Sequence, residues 1–115
     1  DILTKTGQHA GGWIMPGRQT MFNSLLQATE KVHATPLAIT DIRFGENTSE
    51  CVHYGANAMV VGAIKEAINL ANKDANIDLI VMLGGDAEKI IGMLDEKCIL
   101  IRDLIFRGLQ CYSVK

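Results

Sequence analysis

The stretch "IDLIVMLGGDAEKI", residues 77–90, runs from an apolar segment into a glycine pair and then an acid. The apolar run 77–83 reads as a strand, and Asp86 to about Leu94 as the helix after it. A glycine loop between strand and helix lets a ligand come close to the backbone. Ligands also favour the carboxyl ends of such strands. Yet strand-to-helix turns use glycine for φ alone, so Gly84 and Gly85 fit a plain turn and a ligand loop alike. Asp86 falls at the expected N-cap, where its carboxylate accepts the first backbone N–H groups of the helix. It thereby fills the place a phosphate takes elsewhere. A nucleotide bound at this loop then faces it with the uncharged ribose or base. Lys89 is the nearby cation, and the Lys-Ser/Thr pair of a P-loop is missing.

Outward from this stretch, the chain alternates strands and helices. Residues 1–4 and 9–15 read as two strands joined by a hairpin turn at "KTGQ". Pro16-Gly17 ends the second strand. Met21, Phe22, Leu25, Leu26, Ala28 and Val32 recur at helical spacing from Arg18 onward. "LAITDIRF", residues 37–44, is rich in β-branched residues and reads as a third strand. Asn47 followed by Glu50 matches a capping box that opens a long helix. Val52, Ala56, Met59, Val60, Ala63, Ile64, Ala67, Ile68 and Ala71 mark its broad apolar face. Gly55 and Gly62 on that helix each cost about 1 kcal/mol of helix propensity, which close packing against another backbone could explain. Residues 98–101 read as a short strand. Asp103 caps a last helix with Leu104, Ile105, Gly108, Leu109 and Tyr112 inward. The order β-β-α-β-α-β-α-β-α implies a layered sheet covered by helices.

The totals bound the function. A chain of 115 residues makes one domain, and 48% hydrophobic residues support a packed core. The net charge of -2 and the lack of a basic block argue against direct nucleic-acid binding. No apolar run approaches the ~18 residues of a membrane span. Cys51, Cys98 and Cys111 lie far apart, an odd count that suggests reduced thiols in a cytoplasmic protein. Residue 1 is Asp rather than Met, and "DILT" already alternates like a strand, so the chain reads as a fragment with sequence missing upstream.

Two further stretches carry chemistry or packing. In "GGWIMPG", residues 11–17, two glycines weaken a strand, so either something approaches its face or the chain bulges and turns there. Trp13 fits core or interface better than a cofactor platform. With Asn47 as cap, Thr48 takes the first helical position and its hydroxyl is free to face a cleft; an alternative cap is the plainer reading. His9, His33 and His53 lack metal-ligand spacing. Glu30, Asp41, Glu46 and Glu66 read as solvated, and no catalytic triad or Cys/His pair stands out locally.

Together these stretches resemble the C-terminal half of the type III pantothenate kinases, a family that includes proteins named Bvg accessory factors. The residues that carry the likeness are "TGQHAGGWIMPG", "FGENTSECVHYGANAMVVGAI", "IVMLGGDA" and "LIFRGLQCY", in that order across nearly the whole chain. The resemblance implies the acetate and sugar kinase, Hsp70 and actin (ribonuclease H-like) fold: an α/β architecture with a mixed sheet covered by helices. Residues 1–115 then form one domain, the second of two ATPase-like halves. It implies transfer of the ATP γ-phosphoryl group to pantothenate, the first step of coenzyme A synthesis. A homodimer in the cytoplasm, aided by Mg²⁺ and a monovalent cation (K⁺ or NH₄⁺), follows from the same likeness. Thr48 matches a threonine that contacts pantothenate across the dimer interface. Gly84, Gly85 and Asp86 match the adenosine motif. Ile14 matches a position lining the substrate pocket, and Asp1 the last acid of the second phosphate motif. The catalytic base, the first phosphate loop and the cation-binding aspartate belong upstream, so the chain alone is expected to be inactive. Two alternatives compete with the kinase: a non-catalytic regulatory member of the same fold, and a plain dimerisation module.

Overall fold

The computed structural model describes residues 1–113. Strands β1 (Ile2–Leu3) and β2 (His9–Gly11) form an antiparallel hairpin. Gly7 turns it with φ +82°, and the Gly7 N–H donates to the Thr4 carbonyl at 2.9 Å. Glycine adopts that φ without a Cβ penalty, so the expected turn is formed. Ile2 pairs with Gly11 but Leu3 with His9, so one extra residue bulges on β2.

Helix α1 (Arg18–Ala28) starts after Gly17 and stops short of the expected Val32. Thr29 ends it: its backbone is extended and its hydroxyl donates to the Leu25 carbonyl at 2.7 Å. Helix α2 (Thr48–Asp74) is the longest element, 27 residues, or about 40 Å at the α-helical rise. Its N-terminus carries the expected cap: the Glu50 N–H donates to Asn47 Oδ1 at 3.0 Å. The Glu50 carboxylate reaches back to the Glu46 N–H at 2.9 Å, one residue earlier than a standard capping box.

The expected strand at residues 37–44 is not formed. This segment has no strand partner, and side chains take two of its carbonyls instead. Asn57 Nδ2 donates to the Ile39 carbonyl at 3.3 Å and the Asp41 carbonyl at 2.9 Å. Arg18 Nη2 donates to the Ile39 carbonyl at 3.4 Å. These two carbonyls are thus satisfied without a ladder.

Strands β3 (Val81–Met82) and β4 (Ile99–Leu100) pair in parallel, with helix α3 (Ala87–Ile91) in the crossover. Helix α4 (Leu104–Ser113) closes the described chain. Among the described residues the architecture is a small α/β unit with two separate two-stranded sheets rather than one mixed sheet.

The core gathers Met21 from α1 and Ala56 and Val60 from α2, with Ile64 and Ile90 packed against it. Val52, Ala56 and Val60 therefore follow the expected apolar face, but Met59 is exposed. The short α1 covers mainly the N-terminal half of α2, which leaves the later apolar residues half-covered. A Cβ at Gly55 or Gly62 meets nothing within 4 Å, so close backbone packing does not account for either glycine. Helix α4 buries no residue: Leu104, Ile105, Leu109 and Tyr112, expected inward, all face out. No helix among the described residues is long and apolar enough to cross a membrane.

Candidate functional site

Two depressions flank the α1–α2 contact. The larger is an open apolar groove of 610 Å³ at the start of α2, lined by Met21, Leu25, Thr48, Cys51, Val52 and Met59 among others. Asn47 as cap places Thr48 at the first helical position, as its spacing predicts. Its hydroxyl makes no hydrogen bond among the described residues. The loop before it is held tightly: a Cβ at Gly45 would run into the Cys51 nitrogen and come within 2.6 Å of the Glu50 carbonyl carbon. Only glycine lets the loop lie on the first turn of α2 and leave the groove open beside Thr48. Further along, Arg43 clips this loop to α2. Its Nε lies 2.8 Å from Asp41 Oδ2, and its Nη2 donates to the Tyr54 hydroxyl at 2.6 Å. The Asp41 carboxylate and then Tyr54 raise the Arg43 pKa above its ordinary value.

The smaller depression is a polar cavity of 120 Å³ between α1, residues 36–37, α2 and the start of α3. Arg18, His53, Asn57, Asp86 and Lys89 line it, with Phe22 and Ala56 on the apolar side. The His53 ring stacks on Phe22 with centroids 4.6 Å apart. Its Nε2 sits 2.9 Å from the Thr35 carbonyl and 3.0 Å from the Leu37 N–H, so the tautomer decides which it engages. Spacing alone did not single out Arg18 or Asn57. A lone arginine at a helix start and an asparagine on an apolar helix face were the available signals.

Asp86 departs from expectation. Its side chain makes no cap hydrogen bond, because its backbone is already helical (φ −95°, ψ −3°) rather than extended. The turn closes through the backbone instead, the Ala87 N–H donating to the Gly84 carbonyl at 3.2 Å. The Asp86 carboxylate turns toward Arg18, with Oδ1 3.9 Å from Nη1. Gly84 has φ +105° and so requires glycine for its backbone. Gly85 has no such φ, and a Cβ on it meets nothing within 4 Å. Nothing in the described chain demands glycine at 85.

The remaining candidates stand apart. Ile14 is fully exposed and lines neither depression. Gly11 has φ +128° beside the bulge, so its own backbone accounts for that glycine, while a Cβ at Gly12 would lie 2.6 Å from the exposed Asp1 Oδ1. Asp1 Oδ1 is 2.8 Å from His9 Nε2. Thr48 and Asp86 line different depressions that share Ala56 as a wall. Among the described residues no three His, Cys, Asp or Glu side chains could hold a metal ion together.

Comparison with known proteins gives one family. A family model described as type III pantothenate kinase matches residues 1–70. The type III pantothenate kinase of Colwellia psychrerythraea is 36% identical over 123 residues, covering 98% of this chain and 49% of that protein. The one from Idiomarina loihiensis is 36% identical over 118 residues, covering 96% of this chain and 44% of that protein. That of Alcanivorax borkumensis is 31% identical and again matches 96% of this chain. The chain spans about half the length of the curated relatives it matches. By these matches and by the order of its motifs, the chain belongs to the type III pantothenate kinase family.

Proposed function

We propose that the protein carrying this chain phosphorylates pantothenate with ATP and so opens coenzyme A synthesis. One observation carries this reading: relatives named type III pantothenate kinase align with 98% and 96% of the chain. The geometry supports it at two places. The Thr48 hydroxyl borders an apolar groove, a setting suited to a substrate that sets hydroxyls beside a gem-dimethyl group. Gly85 keeps its face open without any need of its own, as a loop approached by a nucleoside must.

In this reading residues 1–115 are the second half of a two-part fold of the acetate and sugar kinase type. Gly84, Gly85 and Asp86 form the nucleoside-facing wall, Thr48 contacts pantothenate from across a homodimer interface, and Ile14 borders the substrate pocket. The catalytic base, the main phosphate loop and the ligands for Mg²⁺ and K⁺ or NH₄⁺ belong to the other half. Isolated residues 1–115 are then inactive, since phosphoryl transfer needs base, phosphates and nucleophile placed together. The protein works in the cytoplasm and does not contact nucleic acid directly.

The test is a coupled assay of the protein carrying this chain for ADP release that depends on pantothenate. Formation of 4′-phosphopantothenate supports the reading. Calorimetry showing neither ATP nor pantothenate bound would sink it.

A further inference from the structure

The segment that brings the chain to Thr48 lies along α2 in a regular register. The Asp41 carbonyl accepts from Asn57 Nδ2 at 2.9 Å. Arg43 Nη2 donates to the Tyr54 hydroxyl at 2.6 Å, and its guanidinium carbon is 5.4 Å from the centre of the Tyr54 ring. Gly45 lies against the Cys51 nitrogen, and the Cys51 thiol donates to the Gly45 carbonyl at 3.4 Å. Asn47 then caps the helix. Alternate residues Asp41, Arg43 and Gly45 thus meet Asn57, Tyr54 and Cys51, which are three apart and so neighbours on the surface of α2. Ile42 and Phe44, the residues between, are left exposed, Phe44 completely. No residue from 41 to 47 is buried, so apolar packing does not hold the segment and these polar contacts do.

The contacts are unequal. Asn57 holds one end of the segment and the Asn47 cap the other. Between these ends, Arg43 is the one side chain of the segment that bonds to α2 among the described residues. Its bond is short and charge-assisted, and the accepting residue, Tyr54, is only 6% exposed. Asp41 Oδ2, 2.8 Å from Nε, fixes the direction of the planar guanidinium, a two-sided contact that an ammonium cannot copy. The thiol of Cys51 is a weak donor by comparison. The residues just after this tether, Gly45, Glu46 and Asn47, form one wall of the apolar groove beside Thr48. We infer that Arg43, acting through Tyr54, is a positioning residue for the substrate groove: it holds this wall against α2 and so sets the shape of the groove at Thr48. Arg43 does not itself line the groove, so its effect passes through the wall. The inference rests on the proposed kinase reading for the identity of the substrate.

The experiment uses the protein carrying this chain, assayed for pantothenate-dependent ADP release. Arg43→Met is expected to raise the KM for pantothenate by about threefold to tenfold, with kcat and the KM for ATP within about twofold of wild type. Tyr54→Phe keeps the ring and removes the acceptor, and should raise the same KM. Added to Arg43→Met it should change nothing further, because both act through one bond. Arg43→Lys keeps the charge without the planar fork and should recover only part of the loss. Hydrogen exchange read by mass spectrometry follows the segment without any substrate. In Arg43→Met the amides of residues 44–48 should exchange about fivefold faster, and those of β3 and β4 at the wild-type rate. An active wild type whose pantothenate KM stays within about twofold in Arg43→Met would overturn the inference and leave the kinase reading standing. Additive effects of the two substitutions would overturn it equally. A wild type that never turns over pantothenate sinks the kinase reading instead, and unchanged exchange over 44–48 would then overturn the tether as well.

Discussion

At the scale of single residues, the two glycines of the pair separate cleanly. Gly84 needs its φ of +105°, so Gly84→Ala should destabilise the chain by about 1 kcal/mol. Gly85→Ala, with open space and an ordinary φ, should change stability by less than about 0.5 kcal/mol. Urea denaturation of both variants measures the contrast. In the protein carrying this chain, Gly85→Val should weaken ATP binding by about tenfold or more while the fold holds. Unchanged ATP affinity would return the pair to being only a turn. The place of this loop was legible in the sequence because glycine next to an apolar run leaves few readings. The role of Asp86 was not, since cap geometry depends on a backbone angle that no residue type dictates. Arg18 pulls its carboxylate toward α1, and that neighbour lies 68 positions away in the chain.

At the scale of elements, α2 was the most legible part of the molecule. Its cap pair Asn47 and Glu50 and its long apolar spacing are local signals, and the structure keeps both. Asn47→Ala should cost about 1 kcal/mol, read as a lower midpoint in thermal unfolding followed by circular dichroism. Residues 37–44 were misread because β propensity records a preference for a pleated, half-buried surface. Here Asn57 and Arg18 supply the backbone partners, and side chains of other elements leave no trace in a local pattern. In α4 the Arg107 Nε donates to Asp103 Oδ2 at 2.8 Å, and this hydrogen bond holds the Asp103 carboxyl below its ordinary pKa of 3.8. A carboxyl lowered on folding stabilises above its unfolded pKa, and that contribution fades as pH falls through the folded value. Asp103→Asn should therefore lower stability slightly at about pH 7 and make no difference at about pH 2. The pair is exposed, so solvent screens it and the effect is small. Denaturation curves for both proteins at the two pH values check the sign.

At the scale of the whole molecule, the chain is open. Its radius of gyration is 16.7 Å. A compact domain of this length is expected near 13 Å. Ile105, Phe106, Leu109 and Tyr112 are each at least 60% exposed on α4. Such apolar surface should bind the dye ANS in the native chain, and Phe106→Ser with Leu109→Ser should reduce the fluorescence markedly. Equal fluorescence would place the dye elsewhere. The outward face of α4 could not be foreseen, because helical spacing reports that a face is apolar and not whether anything covers it. Near the centre, Ala56 borders both the Thr48 groove and the Arg18 cavity. One methyl group is thus the partition between two chambers. A bulkier side chain there narrows the groove and the cavity at once. Ala56→Val thickens the partition and should cost about 1–3 kcal/mol of stability by overpacking, read as a lower midpoint in urea denaturation.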